Sequence, residues 1–184
     1  MAWTAPVTAI AGATVTSADF NTYVRDNLSQ TMPAKALNVG SMFMVSAANT
    51  LTERLSQFDH LSTSQTTAST SYTDLATAGP AVSVVTGTSA IVIVGALIGA
   101  NTAAAGAPSN KMSWACSGAT TVAASDLWAT GVVQTGTGAG PSVYSSRWHL
   151  ATGLNPGTNT FTTKYAVSSG TGTFALRAIQ ALPL

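Results

Sequence analysis

With 184 residues, 7% of them charged, and a net charge of +1, the chain has room for one domain plus an appendage and far less charge than the usual quarter. Seven Lys and Arg in all are too few to neutralise a nucleic-acid backbone, so no nucleic-acid partner is expected. A hydrophobic fraction of 46% separates it from disordered chains, and so little charge points to a surface covered by self-association.

In chain order, residues 1–15 contain Trp3, Pro6 and Gly12 without sustained periodicity, which predicts an extended arm. The arm shows neither the basic start nor the long apolar centre of a secretory signal, so a soluble protein made in the cytosol is expected. A helix is predicted from Thr16 or Ser17, either of which caps free backbone N–H groups, with Asp19 favoured by the dipole in the first turn. Phe20, Val24 and Leu28 recur at helical spacing with Tyr23 beside them, while Asp19, Arg25 and Asp26 lie off that stripe. Pro33 stops the helix. A helix this short needs its stripe packed, on the rest of the chain or on copies of itself.

Residues 39–56 read as a hairpin, with strand residues Met42 to Val45, turn residues "AANT", and a return over Leu51 to Leu55. The hydroxyl-rich run "STSQTTASTS", 62–71, reads as a linker. The remainder is all-β, with strands expected at 71–76, 81–86, 89–99, 110–117, 127–134, 142–151, 159–168 and 173–182, separated by Gly- and Pro-containing turns. The apolar run "AIVIVGALIGA" falls short of the roughly 20 residues of a spanning helix, so it reads as a buried strand and no membrane insertion is expected. Alternation puts Phe161, Thr163, Tyr165 and Val167 on one face, and sets Phe174, Leu176, Ala178 and Gln180 against Ala175, Arg177, Ile179 and Ala181. The expected fold is mainly β: an arm and short helix, a hairpin, then an antiparallel, jelly-roll-like β-sandwich of about eight strands. The boundaries read as 1–31 arm and helix, 32–61 hairpin connector, 62–71 linker and 72–184 head.

The chemistry inventory is thin. His60 and His149 have no clustered Cys, Asp or Glu that would complete a metal site, and Asp59 beside His60 makes no triad by adjacency alone. The six acidic residues announce no carboxylate pair by motif. The glycines of "QTGTGAGP" lead into a strand, not the helix N-terminus a phosphate needs. Cys116 reads as a small buried hydrophobe. No catalytic residue, metal site or cofactor is therefore expected. In "SRWHL", Arg147 and His149 are read as an outward pair, with Trp148 toward the core. Trp114, Trp128, Tyr144 and Trp148 are the aromatic side chains able to stack on a sugar. Tyr144, Arg147 and His149 make the candidate binding surface.

The stretch "WTAPVTAIAGATVTSADFNTYVRDNL" resembles the opening segment of virion proteins of tailed bacteriophages and prophages, notably of actinobacteria, through Trp3, Pro6, Gly12, Val15, Thr16, Asp19, Asn21, Arg25, Asp26, Asn27 and Leu28. Ala13 departs from the acidic residue common there. The hairpin is similar to a module of phage fibre proteins at Gly40, Val45, Ala47, Ala48, Asn49, Thr50, Leu51, Arg54 and Leu55, with Ser41 replacing the usual Asp and Glu53 preceding the Arg. The remaining β-region looks like the small sandwich heads that follow such modules. The resemblance implies a non-enzymatic virion component, assembled in the bacterial cytoplasm and usually homotrimeric. Its partners would be other virion proteins and, for a fibre, a host cell-surface glycan. Its particle-anchoring residues would be Trp3, Pro6, Asp19, Phe20, Asn21, Tyr23, Val24, Arg25, Asp26, Asn27 and Leu28. A minor tail or fibre protein is the first expectation, a capsid decoration or head-fibre protein the second, and a carbohydrate-acting enzyme a remote third.

Overall fold

The computed structural model describes residues 4–5, 8, 11–31, 35–48, 50–99, 107–134 and 141–184. The chain divides into two units, Met1–Leu55 and Ser56–Leu184. Trp3, Pro6, Pro33, Asn49 and the glycines of 136–140 lie outside the described residues.

In the first unit a helix begins where the sequence places it. Thr16 caps it, and the Asp19 carboxylate accepts hydrogen bonds from the Thr16 N–H and hydroxyl at 3.0 and 2.7 Å. Asp19 N–H returns a bond to the Thr16 hydroxyl, completing a capping box. The helix is α over Ser17–Phe20, π-type over Asn21–Arg25 and α again over Asp26–Leu28. One extra residue in the wide turn rotates everything after it by about 100° relative to an unbroken α-helix. A hairpin follows, β1 (Met42–Ala47) paired antiparallel with β2 (Thr50–Arg54), its register shifting between Val45 and Ala47.

The second unit is a β-sandwich. One sheet has the order β5 (Ala81–Thr86), β10 (Gly157–Val167), β7 (Ser109–Gly118), β8 (Thr130–Val133). The other runs β3 (Gln57–Leu61), β11 (Gly172–Pro183), β6 (Ser89–Ile98), β9 (Val143–Thr152), with β4 (Gln65–Thr67) also on β11. The antiparallel pairs β7·β8, β6·β9, β5·β10 and β3·β11 nest one inside the next. The chain is thus one long hairpin coiled into two sheets, which is a jelly roll. The core between the sheets holds Val82, Val92, Trp114, Phe161, Phe174 and Ile179, and each such side chain taken fully from water contributes roughly 1.5–3 kcal/mol. Phe161, Thr163, Tyr165 and Val167 do share the buried face.

Three details differ from the sequence reading. First, 62–71 is no linker between domains: β4 lies inside it and β3 just before it, both hydrogen-bonded to β11, so the sandwich begins at Ser56 and not at residue 72. A polar run can be a strand at a sheet margin, where the backbone ladder needs no apolar side chains. Second, 71–76 forms no strand; only Thr73 bridges to Tyr165. Third, the simple alternation of β11 fails. Ala175 pairs with Leu97 and Ala178 with Gly95, so a bulge adds one residue at Leu176–Arg177, with Leu176 at φ 49°. The bulge puts Phe174 on the same buried face as Arg177, Ile179 and Ala181.

Candidate functional site

The residues expected to anchor the chain fall into an exposed set and a buried one. Phe20, Val24 and Leu28 remain 54%, 40% and 61% exposed, so nothing in the described chain covers the stripe. Arg25 pairs with Asp26 at 2.8 Å on the surface. Asn27 is the buried member of the helix. Its side-chain oxygen accepts from Thr4 N–H, and its amide donates to Thr4 O, both at 2.9 Å, with a further bond to Tyr23 O at 3.0 Å. The widened helical turn, Asn21–Arg25, lies just upstream of Asn27. Asn27 therefore clips the arm to the helix as a strand neighbour would, through both backbone groups of one residue. The sequence showed Asn27 only as part of a motif, because the pattern carries no trace of a contact made 23 residues away.

In the hairpin the two departures from the fibre-module pattern meet. Ser41 donates its hydroxyl to Glu53, whose carboxylate also accepts from the Leu37 and Asn38 backbone N–H groups at 3.0 and 2.7 Å. These bonds, led by that of Ser41, hold the Glu53 carboxyl below the usual range.

The sandwich corrects the proposed surface set. On β9 the even-numbered Tyr144, Ser146, Trp148 and Leu150 face outward, and Tyr144 and Trp148 are 72% and 67% exposed. Arg147 and His149 are on the opposite side of the strand. Arg147 donates to Ala129 O at 3.1 Å, at the seam with β8. The His149 ring is half-buried, 5.7 Å from Trp114 and 5.2 Å from Trp128, and burial lowers its pKa with help from the Arg147 charge. Alternation tells which residues share a face but not which face is the core, and the Trp114–Trp128 stack, at 5.0 Å, already fills the interior. Tyr144 is thus grouped with Trp148 and separated from Arg147 and His149.

The outward face of this sheet is largely apolar, with Ser146 of β9, Gln180 of β11 and His60 of β3 as its polar members. Register places Ile91, Ile93, Gly95 and Leu97 of β6 beside the β9 residues. Ala178, Gln180 and Leu182 of β11 come next. Phe58 of β3 is opposite Gln180, 61% exposed and stacked 5.8 Å from His60. No Asp, Glu, Lys or Arg stands at these register positions.

Buried polar groups elsewhere serve the loops. Asn159 accepts from Thr120 N–H at 2.8 Å and donates to the Thr86 hydroxyl at 2.7 Å and Asn155 O at 3.0 Å. Cys116 is buried beside it, 3.6 Å from its side-chain oxygen, and burial raises the thiol pKa. Arg177 is fully buried, 5.5 Å above the Tyr165 ring, and reaches the Gly79 carbonyl that Tyr165 also bonds. Asp126 accepts from Lys111 at 2.7 Å and Tyr72 at 2.6 Å; these bonds lower its pKa, while burial and Asp126 raise that of Tyr72. Among the described residues no three His, Cys, Asp or Glu cluster as metal ligands, and no helix is long and apolar enough to cross a membrane. No protein-family model matches the chain, and no curated protein matches its sequence.

Proposed function

We propose that this chain is a non-enzymatic structural component of a tailed-phage particle. In this reading the N-terminal unit anchors it and a trimeric sandwich projects outward, as in a minor tail or fibre protein. The observation that carries the reading is the capped helix with its arm clipped on by Asn27 and its apolar side chains Phe20, Val24 and Leu28 left uncovered. A pre-ordered element with unsatisfied apolar surface is suited to docking, because its backbone entropy is already lost before the partner arrives. It also belongs to a different unit from the sandwich.

The test is incorporation into particles. Deleting residues 1–31 is expected to leave a folded sandwich that no longer joins them. Asn27→Ala, which frees the arm without touching the exposed stripe, is expected to reduce incorporation several-fold. Undiminished incorporation of the deleted chain would refute anchoring. Gold labelling of the intact chain then assigns its place, with tail label for the fibre reading and capsid label for a decoration or head-fibre protein.

A further inference from the structure

We infer that copies of this chain associate through the outward face of the β3–β11–β6–β9 sheet, and that Trp148 and Ile93 stand at the centre of that contact. The inference deepens the proposed trimeric head and rests on its claim of self-association, though not on where a particle holds the protein.

Size is the first argument. Three strands of about ten residues, each about 33 Å long, and the five-residue β3 lie about 4.8 Å apart and present a face on the order of 550 Å². A stable interface takes about 800 Å² from each partner, so this face supplies most of one. An exposed apolar patch of this extent on a soluble protein marks an interaction surface.

Composition is the second. Exposed Trp148 and Tyr144 lie among the aliphatic side chains of β6, with Phe58 at the far side beside His60, which matches the aromatic-rich, charge-depleted centre of a protein interface. Gly95 pairs in register with Ser146 beside Trp148 and is closely flanked, since a Cβ on it would come within 3.3 Å of the Ser146 side chain.

Charge identifies the occupant. A partner carrying an acidic or basic patch would find no counter-charge here, whereas a second copy repeats a face with no Asp, Glu, Lys or Arg and meets no like-charge repulsion. The chain as a whole has 7% charged residues, so covering this face removes the least-protected part of its surface.

The experiment is sedimentation of the full chain with and without one charge in the face. The intact protein is expected at about three times its 18.5 kDa chain mass. Trp148→Lys and, separately, Ile93→Lys should each shift it to a single chain, while the near-UV signal of the Trp114–Trp128 stack persists and shows the fold intact. In Ile93→Lys the uncovered Trp148 should become more open to quenching by acrylamide. Val85→Lys, exposed on β5 of the other sheet, should leave the mass unchanged. A pair of chains that dissociates in the same way would support the surface equally. An intact protein of 18.5 kDa, or an assembly that survives both lysine variants, would overturn the inference. So would a single chain whose binding to host cell-wall glycan is lost in Trp148→Ala, since the face would then be a sugar platform. Failure of particle incorporation leaves this result untouched, so the two readings fall separately.

Discussion

Glu53 shows how one side chain can organise a segment that has little regular structure. Its carboxylate takes two backbone N–H groups, the Asn38 amide and the Ser41 hydroxyl, and so closes the turn that leads into β1. Charged acceptors make the stronger hydrogen bonds, and protonation weakens them and puts an O–H among four donors. The folded pKa is lowered, so the turn's stabilisation is fully present above the ordinary glutamate value of 4.5 and is lost as pH falls through the depressed folded value. Protection of the Leu37 and Asn38 amides, taken relative to their intrinsic exchange rate at each pH, should therefore fall as acidification goes below pH 4.5 and through the depressed folded value, ahead of any change in the sandwich. Glu53→Gln should exchange faster at neutral pH and show little of that acid dependence. Equal protection in both proteins across the range would remove Glu53 from this role. Asn159 and Arg177 work by the same logic inside the sandwich, where each secures loop carbonyls or hydroxyls that no ladder reaches.

At the scale of elements, β11 decides the most. Its bulge turns Arg177 inward and restores Ile179 and Ala181 to the core face, and it does so with Leu176 in the left-handed region. A β-branched residue there is strongly disfavoured, whereas glycine adopts that conformation freely. Leu176→Val should lower sandwich stability by about 1–2 kcal/mol, and Leu176→Gly should be the more stable of the two in chemical denaturation. If the valine variant matched the glycine one, the backbone there would not be constrained as described. The bulge also marks where sequence reading stops. The strands expected at 81–86 and 159–168 were legible because one face is buried and alternation holds through Ala81–Thr86 and from Asn159 to Tyr165. On β11 the same rule gave the wrong partition, since an inserted residue changes phase without changing composition. Trp148 misled for a related reason: a large aromatic is usually assigned to the core, and only the tertiary pairing of β9 with β6 shows that the interior side is taken. In the helix, the residue spacing says nothing of the widened turn at Asn21–Arg25, nor of what covers the exposed Phe20, Val24 and Leu28.

For the whole molecule the boundary at Leu55–Ser56 is the consequential fact. A chain beginning at Ser56 keeps β3 and β4 and should melt cooperatively. One beginning at Tyr72 leaves one side of β11 without the pairs at Gln57–Leu61 and Gln65–Thr67, and should lose that transition or aggregate through the bare strand. Cooperative melting of the shorter chain, comparable to that of the longer, would restore the boundary expected from the polar run. The nested pairing has a further consequence, for synthesis. The innermost pair, β7·β8, can close as soon as it leaves the ribosome, but each later strand must find a partner made progressively earlier. β11, the last strand, inserts between β3 and β6 in the middle of its sheet. Zippering thus runs outward from one hairpin, and the first strand of the sandwich waits for the last. Until then the unfinished head presents an open slot, while the N-terminal unit, already translated, is free to fold on its own.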